Sequence, residues 1–352
     1  MTLRKAGATL ALTLLCTMAI LCTSTGTAVA QTVLRFNQNL PSSHWAYEKI
    51  IIPWIKDVER ATEGRVQIQL SGASLGGFTQ SIDLVGEGIA DVSFGNYGLL
   101  NDRFPLAKIT ELPFLGSNHQ LPVSLAYWNI YKQYFDDAQE HEQSGVKAMA
   151  MWVSGANHFF MRERPVTQLA DLKGMRFSVP SALVGRMLGR AGAVGVVTGT
   201  GDVYEQFSRS MVDGVTQANT GPNATRIVPF IKHQTSVPGG LFWSGFFIVM
   251  NDRKWQALPE QDKHAMWSVS GEHLVRKAAL VFEEMEAAEI KARQEGGITT
   301  MHEASPAFLD EMREAFTFVE EEWIAEADKL GLDGKAALAT LRESIDQYEN
   351  DR

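Results

Sequence analysis

The sequence predicts a two-domain α/β protein, and three observations carry that expectation. At 352 residues the chain exceeds one ordinary domain of roughly 100–200 residues. Stretches with alternating apolar residues give way to stretches with apolar residues three and four apart, the order strand, helix, strand, helix. That order begins near Val33 and begins again beyond Val146. Lys plus Arg number 32 and Asp plus Glu 41, a net charge of −9 with no basic block, which excludes a nucleic-acid or anionic-lipid surface.

The first thirty residues read as an address. Arg4 and Lys5 form a basic start, Ala6 to Leu21 is uncharged, and Ala28-Val29-Ala30 offers a small-residue cleavage site before Gln31. The expectation is a signal peptide over residues 1–30 and an exported chain. Cys16 and Cys22 are the only cysteines and fall inside it, so no disulfide, thiolate metal site or cysteine nucleophile is expected from Gln31 onward. Leu15 and Leu21 stand where a lipoprotein would carry a small residue, so no lipid anchor is expected. Beyond residue 30 no apolar run approaches 18 residues, the length of a membrane span.

Val33 to Asn37 alternates as a strand and stops at Pro41-Ser42-Ser43. His44 to Thr62 has Ile51, Trp54, Ile55 and Val58 at helical spacing, with Pro53 marking a kink or first turn and Gly64 the stop. Val66 to Leu70 is a second strand, Thr79 to Ile89 a helix, and Asp91 to Phe94 a third strand. After Val146–Val153, Met175 to Val179 is a strand ended by Pro180, a helix follows from Ser181, and a further strand–helix pair ends near Val215. Leu241 to Met250 is a strongly apolar strand segment. Glu260 to Glu295 holds no Pro and only Gly271 as a weak point; as one helix it would run roughly 54 Å, long enough to lie along two domains. The alternation predicts mostly parallel sheet covered on both faces.

Gly72-Ala73-Ser74-Leu75-Gly76 follows a strand and precedes a helix, the setting of a nucleophile elbow, so an exported hydrolase using Ser74 is one alternative. His158, His233, His264, His273 and His302 all follow, with no spacing that selects one of them as the base. His141-Glu142 lacks a second His at helical spacing, and Gly199-Thr200-Gly201 lacks the third glycine of a dinucleotide loop. Neither metal nor cofactor is expected. Trp45, Phe94, Tyr97, Trp152, Phe159, Phe242 and Trp243 stand at or near predicted strand ends, where open α/β sheets bind ligands. Trp152 and Trp243 are each followed by small residues (Ser154-Gly155, Ser244-Gly245) that leave room for a ligand.

Pro165-Val166, Asp171 to Pro180, Asp202-Val203-Tyr204 and Val212-Asp213-Gly214, with Leu75-Gly76 and Leu112-Pro113-Phe114-Leu115, resemble the solute-binding proteins of tripartite ATP-independent periplasmic (TRAP) transporters of the DctP type. The order of elements is similar across nearly the whole chain. The resemblance implies a periplasmic receptor of two α/β domains, with crossing strands and a long domain-spanning helix. It divides the chain into residues 31–154 plus 242–285 and residues 155–241 plus 286–352, with the ligand cleft between them. It also implies partners: a small organic solute, and the small and large membrane subunits of a transporter. No nucleic-acid partner is expected, and the receptor is expected to be a monomer.

Within that resemblance Asn39, Asn96, Tyr97, His158, Gln217, Asn219 and Trp243 fall at ligand-facing positions, and Trp45 and Trp152 join them from the aromatic inventory. One position departs from the family. Its segment usually ends Lys-x-Arg-Val-Pro, the Arg gripping the solute carboxylate, whereas here Ser178 stands in that place and Arg176 two residues earlier. Two residues along a strand share a face but lie roughly 6.6 Å apart, too far for a rigid guanidinium to reach the same atoms. The departure favours a small amine or amino alcohol held by aromatic faces. An organic acid gripped by Arg176 or His158 is the alternative, and a receptor that signals rather than transports is a third.

Overall fold

The computed structural model describes residues 31–100, 103–135 and 140–352. The signal-peptide reading falls on residues outside that set. The strands in chain order are β1 (Thr32–Asn37), β2 (Val66–Leu70), β3 (Val92–Asn96), β4 (Val146–Ala156), β5 (His158–Met161), β6 (Arg176–Val179), β7 (Val194–Val197), β8 (Gly214–Gln217), β9 (His233–Ser236), β10 (Trp243–Asn251) and β11 (Thr300–Glu303). They form two sheets, one in the order β2-β1-β3-β10-β4 and one in the order β11-β9-β5-β8-β6-β7.

Both sheets are mixed rather than mostly parallel. β1, β2 and β3 run parallel, but β10 is antiparallel to both β3 and β4. In the second sheet β5 is antiparallel to β8 and β9. The reversal has a topological cause. Only Asn157 separates β4 from β5, and residues 237–242 join β9 to β10, so the chain crosses between the sheets twice and each crossing strand enters its new sheet against the local direction. Alternating apolar runs report strand character but not strand direction.

The longer helices are α1 (Ile52–Ala61), α2 (Ser81–Gly86), α3 (Gln120–Ile130), α4 (Ala182–Arg190), α5 (Glu260–Ser268), α6 (Gly271–Gly296), α7 (Pro306–Lys329) and α8 (Gly334–Asn350). A π-helical turn, Tyr47–Ile51, leads without a break into α1, and Pro53, which has no N–H to donate to the preceding turn, stands directly after that wider turn. The expected helix over 260–295 is two helices. Ser270 takes an extended conformation at the start of α6 and Gly271 has φ +51°, while the Trp54 indole donates to Ser270 Oγ at 3.0 Å and pins the break. A left-handed backbone suits Gly, so the weak point becomes a corner.

α6 remains the spanning element. Its 26 residues, roughly 39 Å, start against α3 and β4 of the first sheet and end at Gly297, after which β11 joins the edge of the second sheet. The apolar stripe of α8 (Ala337, Leu338, Leu341, Ile345) is buried, and α8 packs on α3 beside the first sheet, although the resemblance groups residues 286–352 with the other lobe. No helix among the described residues is long and apolar enough to cross a membrane.

Candidate functional site

A cavity of about 170 Å³ lies between the two sheets and shares Leu40, His44, Trp45 and Phe78 with a wider outer groove. Its two walls differ in chemistry. The first-sheet wall is aromatic: Trp45, Phe78, Phe94, Phe246 and, from the spanning helix α6, Phe282. Phe94 and Asn96 are two apart on β3 and share a face, and Phe246 of β10 is the register partner of Asn96, so one sheet face presents all three. Phe94 stacks on Phe246 with ring centroids 5.4 Å apart, Phe246 lies 5.7 Å from Phe282, and Trp45 meets Phe282 edge-on at 4.7 Å.

The opposite wall is neutral and polar. The carboxyl ends of β6 and β8 supply Ser178 and Thr216-Gln217, and the connections beyond β7 and β8 supply Thr198, Thr200, Thr220 and Thr225. Among the described residues no Asp, Glu, Lys or Arg lines the cavity; the charged residues Lys108, Asp202, Arg226 and Glu289 line the outer groove. The hydrogen bonds already made decide what the lining can offer. Asn96 Oδ1 accepts the Gly98 N–H at 2.9 Å, which leaves the Asn96 amide NH₂ as a donor. Gln217 Oε1 lies 3.4 Å from the Thr225 hydroxyl, which leaves its NH₂ likewise. The Thr216 hydroxyl is buried without a protein partner. Asn157 turns its NH₂ to Gly155 O and Phe242 O and keeps an acceptor oxygen. Gly221 makes room for Gln217, since a Cβ there would stand 2.7 Å from that side chain.

Of the residues singled out from sequence, Trp45, Asn96, Ser178 and Gln217 line the cavity together. Asn39 lines the outer groove, its amide donating to Phe94 O. The other six do not line either space. Tyr97 is buried and its hydroxyl meets His141 Nε2 at 2.6 Å. Trp152, the register partner of Phe246 on the same sheet face, is fully buried and stacks on Phe94 without lining the cavity. Trp243, expected to floor the cleft, is fully buried with its indole donating to Gly239 O at 3.3 Å. His158 Nδ1 accepts the Val237 N–H at 3.1 Å. Arg176 is exposed at the far end of β6, its N–H donating to the Asp213 carboxylate. Asn219 is buried in a network with Arg293. Strand-end position marked Tyr97, Trp152 and Trp243 as ligand-facing, and they are core instead, because burial in core and burial in a cavity wall carry the same sequence signal. Phe246, Phe282 and Thr216 were missed; Phe282 sits mid-helix and only the crossing of α6 brings it to the wall.

Gly72 to Gly76 forms a loop held by Asn37, whose amide accepts the Leu75 N–H and donates to Gly76 O. Ser74 is exposed there, and its hydroxyl donates to Gly76 O. A structural turn accounts for the motif.

Two histidines behind the walls carry a pH dependence. Burial, with the charge of Arg293, pushes His158 down to about 4, and burial, with Lys147, pushes His141 down to about 3. Both are neutral when folded at neutral pH. Below about pH 6.5 the unfolded chain takes up these protons and the folded chain does not, so stability falls as the pH drops, until the folded histidines protonate in turn. Thermal melts should therefore lose ground steadily from pH 7 to pH 5, by up to about 1.4 kcal/mol per pH unit for each histidine. His158→Gln should flatten that slope; an unchanged slope in the variant would remove His158 from the account.

A family model for bacterial extracellular solute-binding proteins, family 7 (DctP), matches residues 36–326. The chain belongs to this family. Among relatives of this DctP-type chain is TsaT of Comamonas testosteroni, described as an outer membrane transporter protein, 27% identical over 332 residues, 93% of this chain and 96% of that protein. A TRAP periplasmic solute-binding protein from Bordetella bronchiseptica, solved with bound (R)- and (S)-mandelate, is 28% identical with a TM-score of 0.84, covering 90% of this chain and 99% of that one. A marine-metagenome TRAP solute-binding protein specific for aromatic acids, solved with 3-hydroxybenzoate, is 25% identical with a TM-score of 0.82, covering 91% and 99%. The two-sheet α/β architecture is thus that of TRAP solute-binding proteins.

Proposed function

We propose that this DctP-type chain is the periplasmic receptor for a monocyclic aromatic acid, which it encloses between two lobes and delivers to the membrane subunits of a TRAP transporter. The observation that carries the reading is the cavity's asymmetry: an aromatic wall on one side, neutral donors on the other, and among the described residues no charged side chain between. Its volume suits one substituted ring, since a dry cavity of about 150 Å³ accepts benzene. The ring stacks on Phe246 and Trp45, and the acid's oxygens accept from the Asn96 and Gln217 amides and the hydroxyls of Ser178 and Thr216. The Asn157 oxygen is placed to receive a hydroxyl of the solute. Relatives with bound mandelate and 3-hydroxybenzoate support an aromatic acid.

An amine fits less well. An ammonium head has only donors, and among the described residues the lining has no Asp or Glu to receive it. Cation–π contact of roughly 0.5–2 kcal/mol per ring does not replace its lost hydration. Nor is the acid held by Arg176 or His158, neither of which lines the cavity. The division into lobes at residues 154–155 and 241–242, export through a signal cleaved after Ala30, and a monomeric receptor belong to the same proposal. A thermal-shift panel tests the ligand class: mandelate, benzoate and hydroxyphenylacetate should raise the melting temperature, whereas a C4-dicarboxylate and phenethylamine should not. A shift with phenethylamine alone would reverse the assignment.

A further inference from the structure

Glu286 and Arg293 lie seven residues apart on α6, two turns along one face, and both are buried. The Glu286 carboxylate accepts the backbone N–H groups of Asn219 at 3.1 Å and Thr220 at 2.9 Å. Arg293 donates to Asn219 O at 2.9 Å, to Asn219 Oδ1 at 2.7 Å and to Gln234 Oε1 at 3.1 Å, and the Gln234 amide donates to Asn219 Oδ1 at 2.8 Å. Residue 219 is thus held through its N–H, its carbonyl and its side chain. It touches no ligand space, but Gln217, Ala218 and Thr220 beside it line the cavity. On its other side the same carboxylate packs against Gly155, where a Cβ would stand 2.4–2.6 Å from it. Gly155 lies between Ser154 and Asn157, which line the cavity from the first crossing strand. One carboxylate on the spanning helix therefore touches both walls.

We infer that Glu286, braced by Arg293, is a positioning residue that sets the distance between the two walls of the cavity, with Gly155 conserving the space it needs. It contacts no solute; it acts through the 217–220 segment and the end of β4. This rests on the proposed aromatic-acid site for its binding readout, but not for its structural one. Glu286→Gln keeps the size and sets an NH₂ against a backbone N–H, donor facing donor. Gly155→Ala leaves every lining side chain in place and pushes the carboxylate away.

Amide hydrogen exchange on the ligand-free full chain, read in the segments covering 153–158 and 215–221, tests the clamp without any ligand. Both variants should speed exchange at least tenfold in both segments while other strands keep their protection. Mandelate affinity should fall at least tenfold in each, and Gly155→Ala combined with Glu286→Ala should be no worse than Glu286→Ala alone, because the two changes break one contact. Exchange confined to one segment, a uniform loss across the chain, or additive losses in the double variant would overturn the inference. If wild type fails to bind mandelate while the exchange pattern holds, the ligand proposal fails and the clamp stands.

Discussion

Trp45→Ala should weaken binding of mandelate or benzoate about thirtyfold or more. Trp45 is half-buried at the boundary between the cavity and the outer groove, edge-on to Phe282 and stacked on His44 at 5.4 Å. In the proposed site a ring in that place would both contact the solute and exclude water from it. Truncating an aromatic anchor in a desolvated pocket typically costs about 2–4 kcal/mol, and each 1.4 kcal/mol is about tenfold in affinity. Folding should change little, since the side chain gives up less buried area than a core residue. Calorimetry on wild type, Trp45→Ala and Trp45→Phe measures the effect, with the Phe variant intermediate. Equal affinities in all three would place the ring outside the site.

Trp243→Ala should do the reverse. The indole is fully buried at the crossing strand β10 and its N–H meets Gly239 O. Removing it leaves a void that close-packed neighbours cannot fill, at a cost of about 3–5 kcal/mol. For a chain of this size that is a melting-temperature loss on the order of 10 °C. The remaining folded protein should bind aromatic acid within about threefold of wild type, because Trp243 does not line the cavity. A large affinity loss at unchanged stability would return Trp243 to the ligand-facing position that its strand-end location suggested.

The two tryptophans show what could be read from the sequence. Trp243 opens an apolar strand segment and is followed by Ser244-Gly245, whereas Trp45 lies beyond the first strand at the start of a helical stretch, and both are apolar enough to be buried anywhere. Local pattern ranks Trp243 above Trp45 as a ligand contact, and the structure reverses the order, with Trp45 in the cavity wall and Trp243 in the core. Ser178 and Gln217 were legible through the family resemblance, which places the residue two before Pro180 and those following Val212-Asp213-Gly214 beside the ligand. Asn219, two residues beyond Gln217, looked equivalent, yet α6 takes hold of it and turns it into part of the frame.

By itself the sequence determined the class of the fold, the existence and period of the strands and helices over residues 33–94, of the strands over 146–153, 175–179 and 241–250, and of the helical run beyond Pro259, the absence of thiol chemistry beyond residue 30, and a match of motifs that the family comparison bears out; it did not mark the short strands at 158–161, 233–236 and 300–303 or the helix over 120–130. These follow from local rules: side-chain periodicity, turn residues and composition act over a few residues at a time. The tertiary structure decided the rest. The crossing strands reversed part of each sheet, Ser270 and Gly271 broke the long helix where Trp54 reaches it, and α6 carried Phe282 to a wall built mostly from β3 and β10. The neutral character of the cavity is likewise a property of no segment. It arises because charged side chains stay out in the groove or pair behind the walls, and because donors without partners in one strand meet the rings of another only when the two sheets face each other.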